Sequence, residues 1–259
     1  MKTVILCGGK GTRLQEATGG TIPKPMVRVG GRPILWHIMQ RYAKFGHKDF
    51  VLALGHQQEI IRDYFLSYDT HHADVEVCLN GGCIPLVQHK EDWTVILSDT
   101  GPDAMTGARL SRVRGYVDDE TFMLTYGDGL ADVDLDALLA FHRAHGKVAT
   151  VTGVRAPGRF GRLDVQPDRG DGAEVAGFLE KPVDDGRVNG GFFVFEPRVF
   201  RYLSRDSACV LERAPLERLA QDGELMMYAH DGFWQCMDTY HDLLGLESLW
   251  NEEGGAPWV

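Results

Sequence analysis

The residues best suited to chemistry lie near the amino end, where a short apolar run passes into a loop with almost no side-chain bulk. The run is Val4–Leu6, and glycines follow it at positions 8, 9 and 11. Backbone N–H groups in such a loop can approach a phosphate closely because no Cβ stands in the way. Two cations follow: Arg13, a rigid fork of donors, and Lys24, whose backbone is stiffened by flanking prolines. The combination predicts a site for a polyphosphate.

Neither standard phosphate-binding motif is present in this loop. A Walker A loop requires Gly-Lys followed by Ser or Thr, whereas Lys10 is followed by Gly11, and the dinucleotide fingerprint requires GxGxxG. The glycines alone fit a plain turn between a strand and a helix equally well. A structural turn has no need of two convergent cations, so Arg13 and Lys24 favour the functional interpretation.

A carboxylate with glycines on both sides is the second candidate. Asp128 follows the apolar run 122–125 in the sequence Tyr-Gly-Asp-Gly, which places it at the carboxyl end of a predicted buried strand. Such a carboxylate can hold a hard cation, since Mg²⁺ is usually bound by one or two carboxylates together with substrate phosphates. An Asx turn is the structural alternative, because Asp-Gly is a common turn signal. A metal site needs a second carboxylate from elsewhere in the chain.

The elements that must position these residues form an α/β pattern. A strand ending at Leu6, a helix over 33–46 and a strand over 50–54 predict a parallel sheet with a ligand crevice at the carboxyl ends of its strands. Further patterns predict strands over 75–77, 93–97, 122–125, 148–154 and 192–195, helices over 60–68, 216–219 and 243–250, and a hairpin of 160–165 with 175–179 that covers the site. No regular pattern is predicted between 78 and 92. The predicted fold class is α/β, with a Rossmann-like, mixed but mostly parallel sheet and helices on both faces.

Length and composition suit one large α/β domain, with 259 residues of which 44% are apolar and 25% charged. The formal net charge of −10 argues against nucleic-acid binding and against a membrane-surface protein, both of which need a basic patch. No apolar run approaches the roughly 20 residues of a membrane span, and we expect a cytoplasmic protein. Five cysteines without a CxxC pair suit reduced thiols, with Cys7 buried.

Two further clusters could be ligands but have simpler explanations. Asp132, Asp134 and Asp136 lack the glycine and the glutamate of a calcium loop, and they suit the start of a helix. His142 and His145 have a spacing that could bind metal, yet no third ligand is near in sequence. A solvated helix face is the expected explanation for these two histidines.

Several longer motifs resemble one known family. They are GGKGTRL, PKPM, GGRPILWHIM, TGARLSRVRGYV, TYGDGLADVD, GRFGRLDV, EKP, NGGFFVFEP, PLERLAQDGELMMY, HDGFWQCMDT and the closing APW. These motifs cover nearly the whole chain and follow the family's order. On this basis the sequence resembles the sugar-1-phosphate nucleotidylyltransferases and, among them, the glucose-1-phosphate cytidylyltransferases.

The resemblance implies a reaction and an architecture. The phosphate of α-D-glucose 1-phosphate would attack the α-phosphorus of CTP, giving CDP-glucose and pyrophosphate, on a nucleotidyltransferase fold of the glycosyltransferase-A-like type. A single domain over 1–259 is implied, with about 1–130 binding the nucleotide and about 131–259 binding the sugar phosphate and supplying the closing helices. Mg²⁺ is the implied cofactor, and a homo-oligomer, a trimer or a hexamer, is the assembly expected by analogy.

The same resemblance assigns roles to individual residues. The implied catalytic residues are Arg13 and Lys24, and the implied metal ligands are Asp128 and Asp238. The implied nucleotide-binding residues are Leu6, Gly8, Gly9, Gly11, Thr12, Arg13, Thr106, Gly107, Arg109, Gly127 and Asp128. The implied sugar-phosphate-binding residues are Tyr126, Glu180, Lys181, Asn189 and Gly190, where Gly190 would offer exposed backbone. For Arg109, a solvated surface arginine is the alternative.

The sequence departs from the family pattern at several positions. Ile22 and Gln57 stand where lysine is usual, Ala108 replaces a glycine, and His241 stands where arginine is common. The loss of two cations around an anion site leaves open a different phosphorylated substrate or another nucleotide. A non-catalytic sugar-nucleotide sensor is a further alternative, but retention of the implied catalytic cations and metal carboxylates favours an enzyme.

Overall fold

The structure, a computed structural model, describes residues 1–11, 20–85, 91–117, 119–155, 162–165, 175–179 and 186–259, with the backbone alone for 82–85, 162–165 and 175–179. The strands are β1 Lys2–Leu6, β2 Arg28–Val29, β3 Arg32–Pro33, β4 Asp49–Leu54, β5 Val75–Cys78, β6 Gly82–Pro85, β7 Thr94–Asp99, β8 Phe122–Tyr126, β9 Gly129–Ala131, β10 Ala149–Val154, β11 Arg162–Val165, β12 Val175–Leu179, β13 Val188–Phe195, β14 Leu225–His230 and β15 Trp234–Cys236. The α-helices are α1 Ile34–Lys44, α2 Gln58–Leu66, α3 Tyr68–His72, α4 Thr106–Arg112, α5 Leu135–His145, α6 Ala214–Gln221 and α7 Tyr240–Asn251.

Seven of these strands form the central sheet, in the order β14-β10-β13-β8-β1-β4-β7. Strand β1 lies between β4 and β8 and runs parallel to both, with Val4 opposite Val51 and Leu124. Strand β7 is parallel to β4, and β14 is parallel to β10. Strand β13 is antiparallel to both of its neighbours, β8 and β10. The predicted mixed, mostly parallel sheet is therefore confirmed.

Both faces of the sheet are covered, because its central strands alternate their side chains between two cores. In β1, Ile5 belongs to one core and Val4 and Leu6 to the other, and all three are buried. The first core includes side chains of α1, α5 and α7, and the second includes those of α4 and α6. A strand buried on both sides needs apolar residues at successive positions, which is why β1 is an uninterrupted apolar run.

Most predicted elements are present, with ends shifted by a few residues. The predicted hairpin forms from β11 and β12, which pair antiparallel; that it covers the site stays a prediction. Strand β13 begins earlier than predicted, because it includes Asn189 and the two glycines after it. Its pairing with β10 shifts register between Val151 and Gly153, which is the mark of a bulge.

The absence of regular structure expected between 78 and 92 is wrong for its first part. Strands β5 and β6 form an antiparallel hairpin in which Cys78 lies opposite Gly82. Gly81 N donates to Cys78 O over 2.9 Å and closes the turn. The Asn-Gly pair at 80–81 is a strong hairpin signal, but β6 begins with a glycine and ends with a proline, which hide the pattern that would mark a strand.

The prediction of a solvated helix face at His142 is also wrong. His142 is 1% exposed, and its Nδ1 lies 2.8 Å from Thr150 Oγ1, which is 2.7 Å from Nε2 of His145. The other ring nitrogen of His142 lies 3.2 Å from Glu196 Oε1. These contacts join α5 to β10 and to the end of β13, so the two histidines are packing residues of the sheet.

The aspartates before α5 agree with the predicted helix start. Asp134 caps α5 by accepting a hydrogen bond from Ala137 N over 2.9 Å, and Asp136 lies in the first turn. Asp132 instead lies 3.0 Å from Nε2 of His230.

The two predicted halves of the chain meet within the sheet, where β8 pairs with β13. Their division between nucleotide and sugar phosphate stays a prediction. In the described ranges, no helix combines the length and the apolar character needed to cross a bilayer. Cys7 is buried as predicted, and Cys7, Cys78, Cys209 and Cys236 are free thiols.

Candidate active site

Three predicted site residues from distant parts of the chain come together in the structure. Lys24 Nζ lies 2.7 Å from Oδ2 of Asp128 and 2.6 Å from Oδ1 of Asp238. The three side chains are 12%, 27% and 23% exposed, respectively. The two carboxylates are 104 and 214 positions away from the lysine in sequence. The fold therefore places Asp238 beside Asp128, and the ammonium of Lys24 bridges them.

Close approach of three backbone segments brings Lys24 to this position. A short 3-10 helix, Lys24–Met26, carries the residue between two prolines. A Cβ on Gly127 would lie 3.0 Å from Cγ of Pro25 and 3.1 Å from Leu6 O. Gly127 N also donates to Leu6 O over 3.1 Å. The missing side chain at Gly127 thus allows the lysine segment to pack against the carboxyl ends of β1 and β8.

Strand pairing sets the relative position of the two carboxylates. Strands β9 and β15 pair antiparallel with Cys236 opposite Gly129. Met237 N donates to Asp128 O over 2.9 Å, which extends this pairing by one step. Asp128 and Asp238 are therefore tied to neighbouring backbone positions, and their separation does not depend on flexible side chains alone.

The start of α7 holds Asp238 from its other side. Asp242 Oδ2 accepts hydrogen bonds from the backbone N–H groups of Asp238, over 2.9 Å, and of Thr239, over 2.7 Å. Thr239 and Asp242 form a capping box, in which each side chain bonds the other's backbone. The helix start is therefore rigid at the point where it presents the carboxylate.

The carboxylates hold the pKa of Lys24 above its usual value. Burial alone would lower this pKa because it penalises the charged ammonium, but the charge of Asp128 and hydrogen bonds to Asp128 and Asp238 outweigh burial. Lys24 is accordingly a cation at neutral pH.

The same cluster has the chemistry of a divalent-cation site. One oxygen of Asp128, one of Asp238 and Sγ of Cys236 lie within 4.8 Å of one another. The two carboxylates already converge on a single cation, the ammonium of Lys24. Two carboxylates with open positions fit Mg²⁺, which keeps waters and substrate oxygens as its other ligands. Burial, followed by the charge of Asp128, raises the pKa of Cys236 to about 12, so its thiol is protonated without a metal.

The glycine loop follows β1 at the same edge of the sheet. Gly9 is exposed, and nothing lies within 4 Å of the position that its Cβ would take; Gly11 has a φ of +57°. Gly8 is different, because it is buried and its Cβ would lie 2.1 Å from Nη1 of Arg109. Gly8 therefore makes room for an arginine inside the protein, a reason that the sequence did not indicate.

Arg109 is buried behind the glycine loop. The residue is 4% exposed, and its Nη1 donates to Leu54 O (2.9 Å), Thr100 Oγ1 (2.7 Å) and Gly101 O (2.8 Å). Its Nη2 donates to Gly8 O over 2.8 Å. The alternative of a solvated surface arginine is wrong, because α4 begins at Thr106 and turns this side chain toward the sheet. Its contact with a nucleotide stays a prediction, whereas its contacts at or just after the ends of β1, β4 and β7 are direct.

Glu212, which the sequence analysis did not single out, joins the two predicted sides of the site. Its Oε2 accepts from Thr106 Oγ1 over 2.6 Å, and its Oε1 accepts from the hydroxyl of Tyr126. Thr106 Oγ1 in turn accepts from Leu211 N over 2.9 Å, and Asn189 Nδ2 donates to the Tyr126 hydroxyl over 3.3 Å. Burial and the neighbouring carboxylate of Glu212 raise the pKa of Tyr126. One carboxylate thus connects the predicted nucleotide residue Thr106 with the predicted sugar residues.

Gly107, predicted to bind the nucleotide, and Gly190, predicted to bind the sugar phosphate, are both buried. A Cβ on Gly107 would lie 2.7 Å from Sγ of Cys209. Gly190 O accepts from Trp234 Nε1 over 2.8 Å, and a Cβ there would lie 2.6 Å from Cγ1 of Val154. The expectation of exposed backbone at Gly190 is therefore wrong, because this residue lies inside β13. The exposed Asn189 keeps its predicted position beside Tyr126.

Four predicted site residues, Thr12, Arg13, Glu180 and Lys181, lie outside the described residues. Their roles stay predictions.

Comparison with known proteins gives a consistent result. Residues 2–247 match the family described as Nucleotidyl transferase. The chain is 51% identical to the glucose-1-phosphate cytidylyltransferase of Salmonella typhi, with 100% of the chain and 98% of that protein covered. It is 45% identical to the probable glucose-1-phosphate cytidylyltransferase of Bacillus subtilis, with 100% and 99% covered.

A solved structure shares the fold. It is that of a putative glucose-1-phosphate thymidylyltransferase from Bacillus anthracis, with a TM-score of 0.69 at 17% identity, covering 100% of the chain and 98% of that protein. At this identity the likeness concerns the fold alone.

Proposed function

The chain belongs to the nucleotidyl transferase family, and we propose that it joins CTP and α-D-glucose 1-phosphate to give CDP-glucose and pyrophosphate. The observation that carries this proposal is the 51% identity, over the whole chain, to a glucose-1-phosphate cytidylyltransferase. The convergence of Lys24 with Asp128 and Asp238 supports it independently, because it gathers a cation and two carboxylates at the edge of the glycine loop.

Nucleotidyl transfer depends on charge neutralisation more than on proton transfer. A sugar 1-phosphate is already an anion near neutral pH, so its attack on the α-phosphorus needs no general base. Negative charge builds on the α-phosphate oxygens and on the departing pyrophosphate. Cations fixed in advance against these positions lower the barrier, and correct alignment of the two substrates supplies much of the remainder.

Lys24 is the described residue that is best placed to provide such a cation. Its ammonium bridges the two carboxylates, its Cβ lies 3.3 Å from the position that a Cβ on Gly11 would take, and it is charged at neutral pH. Asp128 and Asp238 would hold Mg²⁺, which, when bound, supplies charge neutralisation to phosphate oxygens. Bound Mg²⁺ would neutralise the carboxylates in place of Lys24, and the ammonium of Lys24 could then donate to the phosphates. Arg13 is proposed to act beside Lys24 on the grounds of sequence alone.

The acceptor side of the site is proposed to lie around Tyr126 and Asn189. These two side chains are hydrogen-bonded to each other and, through Glu212, to Thr106 on the nucleotide side. Lys181 and Glu180 complete the proposed sugar-phosphate site by resemblance. A different phosphorylated acceptor is the second candidate, because Ile22 is 45% exposed at a position where the resembled family usually has lysine.

A homo-oligomer, either a trimer or a hexamer, and a cytoplasmic location are further parts of the proposal. The first rests on analogy with the resembled family and the second on the composition of the sequence. Light scattering of the purified chain at several concentrations tests the assembly: a concentration-independent monomer would contradict it.

Pyrophosphate release tests the reaction. The protein is incubated with Mg²⁺ and CTP, dTTP, UTP, GTP or ATP, each with glucose 1-phosphate and with other phosphorylated sugars and alcohols. We expect strong release only with CTP and glucose 1-phosphate. Pyrophosphate release with CTP and another acceptor would support the second candidate, a different phosphorylated acceptor. No release from folded protein with any of these substrates would contradict an enzymatic role. Omission of Mg²⁺, with a chelator present, should abolish release.

A further inference from the structure

Cys236 lies on the same side of its chain segment as Asp238. Successive side chains of an extended segment point to opposite sides, and Met237 is fully buried in the first core. Cys236 and Asp238, on either side of Met237, therefore point away from that core. The residue opposite Cys236 is Gly129, which adds no side chain between the sulfur and Asp128.

The sulfur and the carboxylates are close enough to share one ion. Their ligand atoms lie within 4.8 Å of one another. At the tetrahedral angle, metal bonds of about 2.1 Å to oxygen and about 2.3 Å to sulfur place two ligand atoms roughly 3.4–3.6 Å apart. Since no pair is more than 4.8 Å apart, the ligand atoms need to approach one another by at most about 1.4 Å, a distance that rotation of the aspartate side chains can supply.

We propose that Asp128, Cys236 and Asp238 form a mixed oxygen and sulfur site that binds thiophilic divalent cations, such as Co²⁺ and Zn²⁺, in the protein without nucleotide. Thiolate ligands select such cations, whereas Mg²⁺ prefers oxygen ligands alone. The inference rests on the proposed function, because it uses the same two carboxylates as the proposed Mg²⁺ site. It adds a selectivity: Mg²⁺ depends on substrate oxygens to complete its ligands, but a thiophilic cation finds three ligands on the protein.

The charges of the site balance when such a cation binds. Binding forms a metal–sulfur bond and breaks the S–H bond of Cys236, whose proton passes to solvent, and no electron is transferred. The two carboxylates, the thiolate and the ammonium of Lys24 then leave two negative charges, which a divalent cation neutralises. A thiophilic cation would thus bind to these three residues before CTP arrives and compete there with Mg²⁺.

Titration with Co²⁺ tests this inference directly. A thiolate bound to Co²⁺ gives a charge-transfer band in the near ultraviolet, which carboxylate ligands do not give. We expect the full chain, stripped of metal with a chelator and without nucleotide, to give a band that saturates at one Co²⁺ per chain and disappears on addition of Zn²⁺. Cys236→Ser should remove the band and weaken Co²⁺ binding, measured by calorimetry, roughly tenfold or more.

The matched control is Cys78→Ser, since Cys78 is an exposed free thiol on β5, and this variant should keep the band. Thermal unfolding of each metal-free variant checks that it is folded. A band that survives Cys236→Ser, or no band in the unaltered protein, overturns the inference. Pyrophosphate release with Mg²⁺ is measured on the same sample. Pyrophosphate release without a Co²⁺ band contradicts the inference and leaves the proposed function intact. A Co²⁺ band without pyrophosphate release contradicts the proposed function and leaves the mixed metal site intact.

Discussion

Lys24, as a single residue, has two electrostatic roles. It neutralises Asp128 and Asp238 before any substrate is present, and it is proposed to neutralise phosphate oxygens during the reaction. Its raised pKa means that its contribution to stability is complete below pH 10.5, the ordinary value, and is lost only as pH rises through the higher value of the folded protein. Near neutral pH the positive charge of Lys24, on which both roles depend, therefore does not change with pH.

Lys24→Gln should lower turnover by about a hundredfold to a thousandfold, because a preorganised charge is removed from the phosphates. It should also lower the unfolding temperature of the metal-free protein, since two half-buried carboxylates are left facing each other. Steady-state pyrophosphate release and thermal unfolding measure the two effects.

The control for this variant is Lys48→Gln, which removes an exposed lysine paired with Asp92 over 2.8 Å. Turnover should be unchanged in the control. Near-normal turnover in Lys24→Gln would show that the ammonium is only a structural partner of the carboxylates.

Gly127 shows how a site depends on the elements around it. Its missing side chain lets the segment of Lys24 pack against the ends of β1 and β8, so a single methyl group there tests the positioning of a whole segment. Gly129, on the other side of Asp128, has nothing within 4 Å of the position that its Cβ would take.

Gly127→Ala should destabilise the protein by about 1–3 kcal/mol through overpacking against Pro25 and Leu6. Turnover should fall as well, because Lys24 is moved away from the carboxylates. Gly129→Ala should change the free energy of unfolding by less than about 0.5 kcal/mol. Denaturant unfolding measures both values, and equal effects from the two alanines would contradict the packing argument.

Glu212 is the link between elements that carry the predicted nucleotide and sugar residues. Glu212→Gln leaves one oxygen acceptor where two are used, so either the Thr106 or the Tyr126 hydroxyl loses the acceptor for its proton. We expect kcat/KM to fall about tenfold, with KM rising for CTP and for the sugar phosphate.

Glu217→Gln, an exposed residue in the first turn of α6, makes the same chemical change in the same part of the chain. It should leave both KM values unchanged. If Glu212→Gln changed only stability and neither KM, the carboxylate would be a packing residue and not a positioning residue.

The sequence could predict the elements better than the contacts between them. Buried strands such as β1 and β8 are marked by local apolar runs, and the resemblance implied that Asp128 and Asp238 share a site. Glu212 lies 106 residues from Thr106 and 86 from Tyr126. No local pattern marks such a pairing, because it depends on how α6 packs near the sheet.

The inward direction of Arg109 was unpredictable for a related reason. An arginine in a short helix is usually solvated, and the acceptors that draw it inward are main-chain carbonyls, which carry no signature in sequence. The burial of His142 follows the same logic, since Thr150 lies on β10 and Glu196 directly follows β13, and only the finished sheet brings both to α5.

At the scale of the whole molecule, one sheet and two cores connect both halves of the chain. Strand β13 from the second half lies between β10 and β8, and β8 belongs to the first half. The stability of the whole protein should therefore depend on buried groups in either half. Burial lowers the pKa of His142, which packs α5 against the sheet, and of His37, which lies in α1.

Acidification below pH 6.5, the ordinary histidine value, should destabilise the fold. Below this pH the histidines bind protons in the unfolded chain but not yet in the folded protein. The free energy of unfolding therefore decreases as the pH is lowered, until the lowered pKa values are reached. Each such histidine contributes a slope of at most about 1.4 kcal/mol per pH unit. Denaturant unfolding between pH 7.5 and 5.5, roughly one unit to each side of that value, measures the slope.

His142→Gln should reduce this slope, although the variant is itself less stable near neutral pH. His71→Gln, at an exposed position in α3, is the control and should keep the slope. An unchanged slope in His142→Gln would mean that other groups govern acid sensitivity.

The burial of Arg109 has an electrostatic consequence for ligand capture. Removing a guanidinium from water is costly, and here main-chain carbonyls at or just after the ends of three strands offset that cost when the chain folds. A fixed positive charge thus stands behind Gly8 before any ligand approaches. An incoming polyanion meets a field that is already oriented. None of its binding free energy is then consumed in ordering the charge that attracts it.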